Sequence, residues 1–294
     1  MSAGLIVLLS ILCVCFYTGQ SFLNRLFSGS YTGSPETATP VFSCIYGVVV
    51  LVVTFLLNGC RFSPSGLTVL FGIIDGLILF FYNLGMIQTA HRGPFTFQTI
   101  VRHFGSILLC LLSSVLLWGD RITGTQLAGI GVMLLALVVL NAGGFRFTEV
   151  KKGYFFWVFS LFLTNGLYGV LMDSQQRMFP EERNEMIMIT FGSLAVISGI
   201  FLLCTKGKDA PAAFAMSPRA AACAVGSSLC AAFAVYLLMF LLRYVPGFIM
   251  FTVNNGAVLV MIAILSAVIL KEKPSRATIA GVILSLISIA LLSV

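Results

Sequence analysis

The chain has 294 residues, of which 59% are hydrophobic and 9% charged, against roughly a quarter charged in ordinary soluble domains. That balance excludes a soluble globular domain and calls for a bilayer. The net charge of +7 comes from 17 Lys and Arg set singly or in small groups at the ends of apolar runs, which fits membrane topology and excludes a nucleic-acid-binding stripe.

Apolar runs of about 20 residues, the length a hydrocarbon core roughly 30 Å thick demands of a helix, follow one another along the chain. They predict transmembrane helices over 3–26, 37–59, 66–89, 94–117 and 122–142, then 153–177, 184–204, 217–243, 247–270 and 275–293. No basic stretch precedes the first run and no clear small-residue cleavage site follows it, so it is expected to be a retained helix and not a signal peptide. Helix breakers mark several short connections: Ser34-Pro35, Gly93-Pro94, Pro246-Gly247 and Lys273-Pro274. Two connections are longer and more polar, Gly143 to Lys152 and Thr205 to Pro218. The first divides the chain into two five-helix halves, 1–142 and 153–294, joined by 143–152. The eight cysteines fall mostly inside apolar runs, lack the paired spacing of a zinc site, and are expected to be small buried hydrophobes.

The halves resemble each other. A shift of 152 residues aligns Pro94 with Pro246, Ser114 with Ser266, Asp120 with Glu272, Ala128-Gly129 with Ala280-Gly281 and Leu140 with Leu292, without a gap. A shift of 154 carries the match backwards, pairing Gly72 with Gly226 and Tyr82 with Tyr236. Five helices is an odd number, so two halves of one fold must be inserted with opposite orientation. Inverted repeats of this kind are a design of secondary transporters, with a site near the midplane between the halves.

The repeat ends, "LLSSVLLWGDRITGTQLAGIGVMLLALVVL" and "AILSAVILKEKPSRATIAGVILSLISIALL", each join an apolar helix to a last helix opening on a small-Gly pair. Between them lies a turn with an acidic residue beside a basic one, Asp120-Arg121 and Glu272-Lys273. In these segments and in helix count the chain resembles the drug/metabolite transporter superfamily in its ten-helix, EamA-like form. The resemblance implies an all-α membrane protein of ten transmembrane helices in two inverted five-helix repeats. It also implies a central cavity lined by the first, third and fourth helices of each half, with the fifth peripheral. Members of the superfamily move amino acids, sugars, nucleotide sugars, phosphorylated sugars, choline or drugs. The small multidrug-resistance branch exchanges protons at an acidic residue of its first helix. Here the first helix offers Gln20 and Asn24, and Asp173 comes only near the end of the sixth, which argues against that mechanism.

Ionisable groups at membrane depth cost several kcal/mol unless paired or hydrated, so each is a candidate functional group. Asp75 lies deep in the third helix, and Arg102 and His103 deep in the fourth. The 152-residue shift maps Arg102 and His103 onto Asn254 and Asn255, a second deep polar pair. Arg102 supplies a guanidinium fork for a carboxylate or phosphate, the two asparagines supply amide donors and acceptors, and His103 can titrate near neutral pH. A structural Asp75–Arg102 pair is the bland alternative. Gln20, Asn24, Tyr82, Gln98 and Asn165 complete the expected substrate-binding set, although Gln20, Asn24, Gln98 and Asn165, like Asn83, Gln88 and Tyr168, each taken singly fit an interhelical hydrogen bond better than a ligand contact. Gly72 and Gly76 form a small-residue face suited to close helix packing.

No HExxH, GxSxG or phosphate-binding glycine loop occurs, and two histidines cannot build a usual metal centre. No enzyme activity, metal or cofactor is expected. An ATP-driven pump would need a nucleotide domain that this length cannot contain, so coupling must come from a proton, an ion or solute exchange. Eleven Lys and Arg share the side of Arg25 and five lie opposite; the positive-inside rule then puts both termini outside, whereas the resemblance implies cytoplasmic termini. The expected function is transport of a small polar or anionic metabolite across the plasma (inner) membrane by alternating access. The alternatives are a non-transporting scaffold or regulatory subunit, a channel, and an exporter of cationic drugs.

Overall fold

The computed structural model describes residues 2–90, 92–141, 150–269 and 275–292. These form ten α-helices and, among the described residues, no strand. The helices are α1 (Ala3–Ser30), α2 (Pro35–Leu57), α3 (Gly66–Ala90), α4 (Phe95–Leu116), α5 (Gly124–Leu140), α6 (Tyr154–Met178), α7 (Arg183–Lys206), α8 (Pro218–Leu241), α9 (Gly247–Ile269) and α10 (Arg276–Leu292). Helices answer the demand of hydrocarbon that each backbone N–H and C=O find its partner within its own segment. Eight of them are long and apolar enough to cross a bilayer; α5 and α10, at 17 residues each, are apolar but shorter, about 25 Å end to end. The expected spans fall within two residues of these bounds except at the end of α1, which runs four residues further. There Phe27 is buried against Phe42, Ala220 and Ala224, and the hydroxyls of Ser28 and Ser30 bond back to the carbonyls of Asn24 and Leu26. Packing thus holds a helical end too polar to be read from hydropathy.

Local chemistry sets the other ends. At the end of α2 the Cys60 N–H reaches the Phe55 carbonyl and the Gly59 N–H reaches Leu56, with Gly59 at φ +65°, the left-handed closure that glycine permits. Helix α5 opens on a capping box in which Thr123 and Gln126 satisfy each other's N–H. Ser217 caps α8 ahead of Pro218. The second acidic turn, Glu272-Lys273, with Pro274, and most of the Gly143–Lys152 connection lie outside the described residues. The cysteines depart from expectation. Cys13, Cys110 and Cys223 are buried, but Cys15 and Cys204 are exposed, because a run that is apolar on every side turns some of its cysteines outward, and Cys60 is exposed in the turn after α2.

The helices form two compact units, one of Met1–Ile87 with Ser174–Arg243 and the other of Gln88–Asp173 with Tyr244–Val294. In the first, α1 packs on α8 and α2 on α7. Gly72 and Gly76 lay α3 against α7: a Cβ on Gly72 would stand 2.7 Å from Ile189, and one on Gly76 2.6 Å from the Thr190 carbonyl oxygen. In the second, α4 packs on α9 and α5 on α10 around Ile107, Met133, Leu137 and Phe248. Gly105 meets the Phe162 backbone, and a Cβ on Gly166 would lie 2.6 Å from the Gly105 carbonyl oxygen, so α4 and α6 touch backbone to backbone. Helices α5 and α10 run antiparallel, with Gly129 against Leu292 and Gly281 against Leu140. The 152-residue shift exchanges these two contacts, since it carries Gly129 to Gly281 and Leu140 to Leu292.

A Cβ at position 281 would press on the Leu140 side chain and on its backbone nitrogen, 2.9 Å away, whereas Gly131 has nothing within 4 Å. Gly281→Val is therefore expected to destabilise by about 1–3 kcal/mol through overpacking. Gly131→Ala should be neutral or stabilise by about 0.4–1 kcal/mol. Thermal unfolding in detergent checks this, and equal melting temperatures for the two variants would contradict the packing described.

Candidate functional site

In the second unit, α4, α6 and α9 carry six of the expected residues. Arg102 Nη2 lies 3.0 Å from His103 Nε2. A guanidinium can only donate, so Nε2 accepts and the imidazole proton sits on Nδ1, which is buried and without a partner among the described residues. Asn165 on α6 donates to the Arg102 carbonyl at 2.9 Å. Asn255 on α9 donates to Ser106 Oγ at 2.7 Å, and Ser106 in turn donates to the His103 carbonyl at 2.9 Å. Asn255 also lies against the His103 imidazole, so the two residues matched by the repeat meet. Gln98 stands one turn before Arg102, on the same face of α4. It is 0% exposed, and neither end of its carboxamide has a partner among the described residues. Asn254 is buried one residue before Asn255.

The first unit holds the other candidates in two places. On α1, Gln20 donates to the Tyr46 hydroxyl of α2 at 3.4 Å, and Tyr82 lies on α3 of the same unit. Asn24, one turn on, is half-buried. Asn83 on α3 donates to Ser43 Oγ at 2.9 Å. Asp75 belongs to the α3–α7 seam: it is 0% exposed, its Oδ2 accepts from the Thr190 hydroxyl at 3.3 Å, and it has no ion-pair partner among the described residues. A groove of about 700 Å³ between α2, α3 and α7 is lined by Leu51, Phe55, Phe62, Ile73 and Ile189 among others. None of the polar candidates lines it. Among the described residues no group of His, Cys, Asp and Glu comes together to hold a metal.

The EamA-like transporter family matches residues 152–294, the second half of the chain. The second half of the chain belongs to the EamA-like transporter family. A solved crystal structure of a protein superposes with a TM-score of 0.73 at 17% identity, covering 99% of this chain and 96% of that one, and so shares the fold. No curated protein matches the chain in sequence. An EamA-like chain with eight helices of spanning length is a multi-pass membrane protein of a transporter family. The matched segment contains Asn165, Asn254 and Asn255, while Arg102, His103 and Gln98 lie in the half before it.

Reading the sequence missed Ser106, which joins Asn255 to His103, and Tyr46, which accepts from Gln20. Ser106 carried a signal, being one turn after Arg102 and so on the same face; Tyr46 carried none, because nothing along α2 marks which helix it meets. The Ser106–Asn255 bond is open to a double-mutant cycle with Ser106→Ala and Asn255→Leu. The expected coupling is about 0.6 kcal/mol and at most about 1.7, the range for such bonds in membranes. Strict additivity in thermal or denaturant unfolding would mean that α4 and α9 do not meet there.

Proposed function

We propose that the chain is a secondary transporter of the plasma (inner) membrane that moves a small polar or anionic metabolite by alternating access, holding it with α4 and α9. The family supplies the coarse class. The observation that carries the finer reading is the side of α4 that sets the Arg102 guanidinium one turn from the Gln98 carboxamide, which is buried with neither end partnered among the described residues. Buried polar groups are normally satisfied, and leaving one unmade costs about 1–3 kcal/mol. A solute that brings oxygens to the guanidinium and a polar group to the Gln98 carboxamide removes that cost while bound. Net positive charge favours an anion or a zwitterion over a cation.

Alternating access draws its support from symmetry. The antiparallel α5–α10 pair, with its exchanged glycine–leucine contacts, and the meeting of His103 with its repeat mate Asn255 are what two inverted halves related by a two-fold axis would make. Such halves give two states of similar energy, each open to one side. Coupling to a proton, an ion or counter-moving solute fits the absence of any nucleotide-binding motif in the sequence.

A thermal-shift screen of the detergent-purified chain against organic acids, amino acids, sugars, sugar phosphates, nucleosides and cationic drugs tests the assignment. A ligand at about 100 times its dissociation constant adds roughly 2.7 kcal/mol to the folded state. An acidic or zwitterionic class is expected to raise the melting temperature of the wild type and not of Arg102→Gln. Stabilisation by cationic drugs, unchanged in Arg102→Gln, would contradict the proposed substrate charge.

A further inference from the structure

Arg183, the first residue of α7, is set up differently from every other arginine with described contacts. Its guanidinium carbon lies 5.4 Å from the Tyr236 ring centroid and 5.1 Å from that of Phe240, and Nη2 reaches the Tyr236 hydroxyl at 3.5 Å. The two rings of α8 thus fix the plane of the cation. Three glutamates flank it in sequence, and each is bound elsewhere. Glu181 pairs with Arg243 at 3.3 Å. Glu182 Oε2 accepts from the N–H and hydroxyl of Ser65 at 2.9 and 2.8 Å. Glu185 Oε1 accepts from Asn58 Nδ2 at 3.0 Å. Arg183 has no acidic partner among the described residues, and its Nε is buried without any partner.

Helix stability does not account for the residue, because a cation in the first turn opposes the helix dipole. Five N–H donors in a rigid fork, of which one makes a long bond to a tyrosine, match the oxygens of a phosphate-like anion. We propose that Arg183, cradled by Tyr236 and Phe240, is an anion-binding site for a phosphate-like oxyanion at the start of α7, independent of the α4 assignment. The oxyanion is carried either by a free solute or by a phospholipid headgroup.

Two arms separate the sources. In neutral detergent, inorganic phosphate is titrated into the wild type, Arg183→Gln, Arg183→Lys, Phe240→Leu and Arg102→Gln while the melting temperature is followed. In nanodiscs, stability in phosphatidylcholine alone is compared with phosphatidylcholine containing phosphatidylglycerol. A free-solute site gives a phosphate-dependent rise that Arg183→Gln weakens roughly ten- to hundredfold. A headgroup site gives a phosphatidylglycerol-dependent rise that Arg183→Gln abolishes. In either arm Arg183→Lys and Phe240→Leu, which keep the charge but lose the fork or half the cradle, are expected to respond more weakly than the wild type. No response of the wild type in either arm, or a response in Arg183→Gln equal to the wild type, overturns the proposal. Loss of the response in Arg102→Gln but not in Arg183→Gln assigns the anion to α4 instead.

Discussion

A polar group that enters hydrocarbon without a partner costs several kcal/mol, and most of this structure answers to that constraint. The backbone meets it by being helical through the apolar runs. Side chains meet it by bonding back to their own helix, as Thr18 does to Val14 and Thr252 to Phe248, or across to the next, as Ser288 does to Gly129 and Ser227 to Gln20. Against that background a minority of buried side-chain atoms among the described residues stay unmet, at Asp75, Gln176, Glu185 and Ser198 as well as at Gln98 and Arg183, and the two functional proposals rest on those that stand at or one turn from an arginine guanidinium.

Because lipid tails are as apolar as leucine, helices in a bilayer gain by close approach and not by hiding from water. Gly72 and Gly76 on α3, Gly105 and Gly166 between α4 and α6, and the Gly129 and Gly281 pair supply that approach. A fold assembled by small residues has few wide gaps to fill, and its polar residues are then confined to seams between helices. Asp75 is in such a seam with Thr190, while the α4 group collects residues from three helices.

Hydropathy made the helices legible to within two residues at nearly every end, since the period and length of an apolar run are properties of one segment. Gly129, Gly281, Leu140 and Leu292, which the 152-residue shift pairs, are also the residues that meet between α5 and α10. Which helices meet was not legible. The compact units take α1, α2, α3, α7 and α8 together, and α4, α5, α9 and α10 with most of α6, so each draws on both halves of the chain. For the same reason the polar positions on α4 could be read from their depth, but Ser106 as a link to Asn255, Tyr46 as the partner of Gln20, and Tyr236 with Phe240 as the cradle of Arg183 could not. Each depends on a neighbour about 26 to 149 residues away in sequence.

On the proposed function, buried polar groups on α4 hold a solute that the protein carries from one side to the other. Counterflow in proteoliposomes tests it most directly. Vesicles are loaded with an unlabelled organic anion or zwitterion, diluted into a trace of the labelled compound, and followed for transient accumulation. The account predicts accumulation of at least one acidic or zwitterionic class above that in protein-free vesicles, dependent on the internal load. Accumulation of cations alone, or of no solute class at all by a folded and correctly inserted protein, would contradict it.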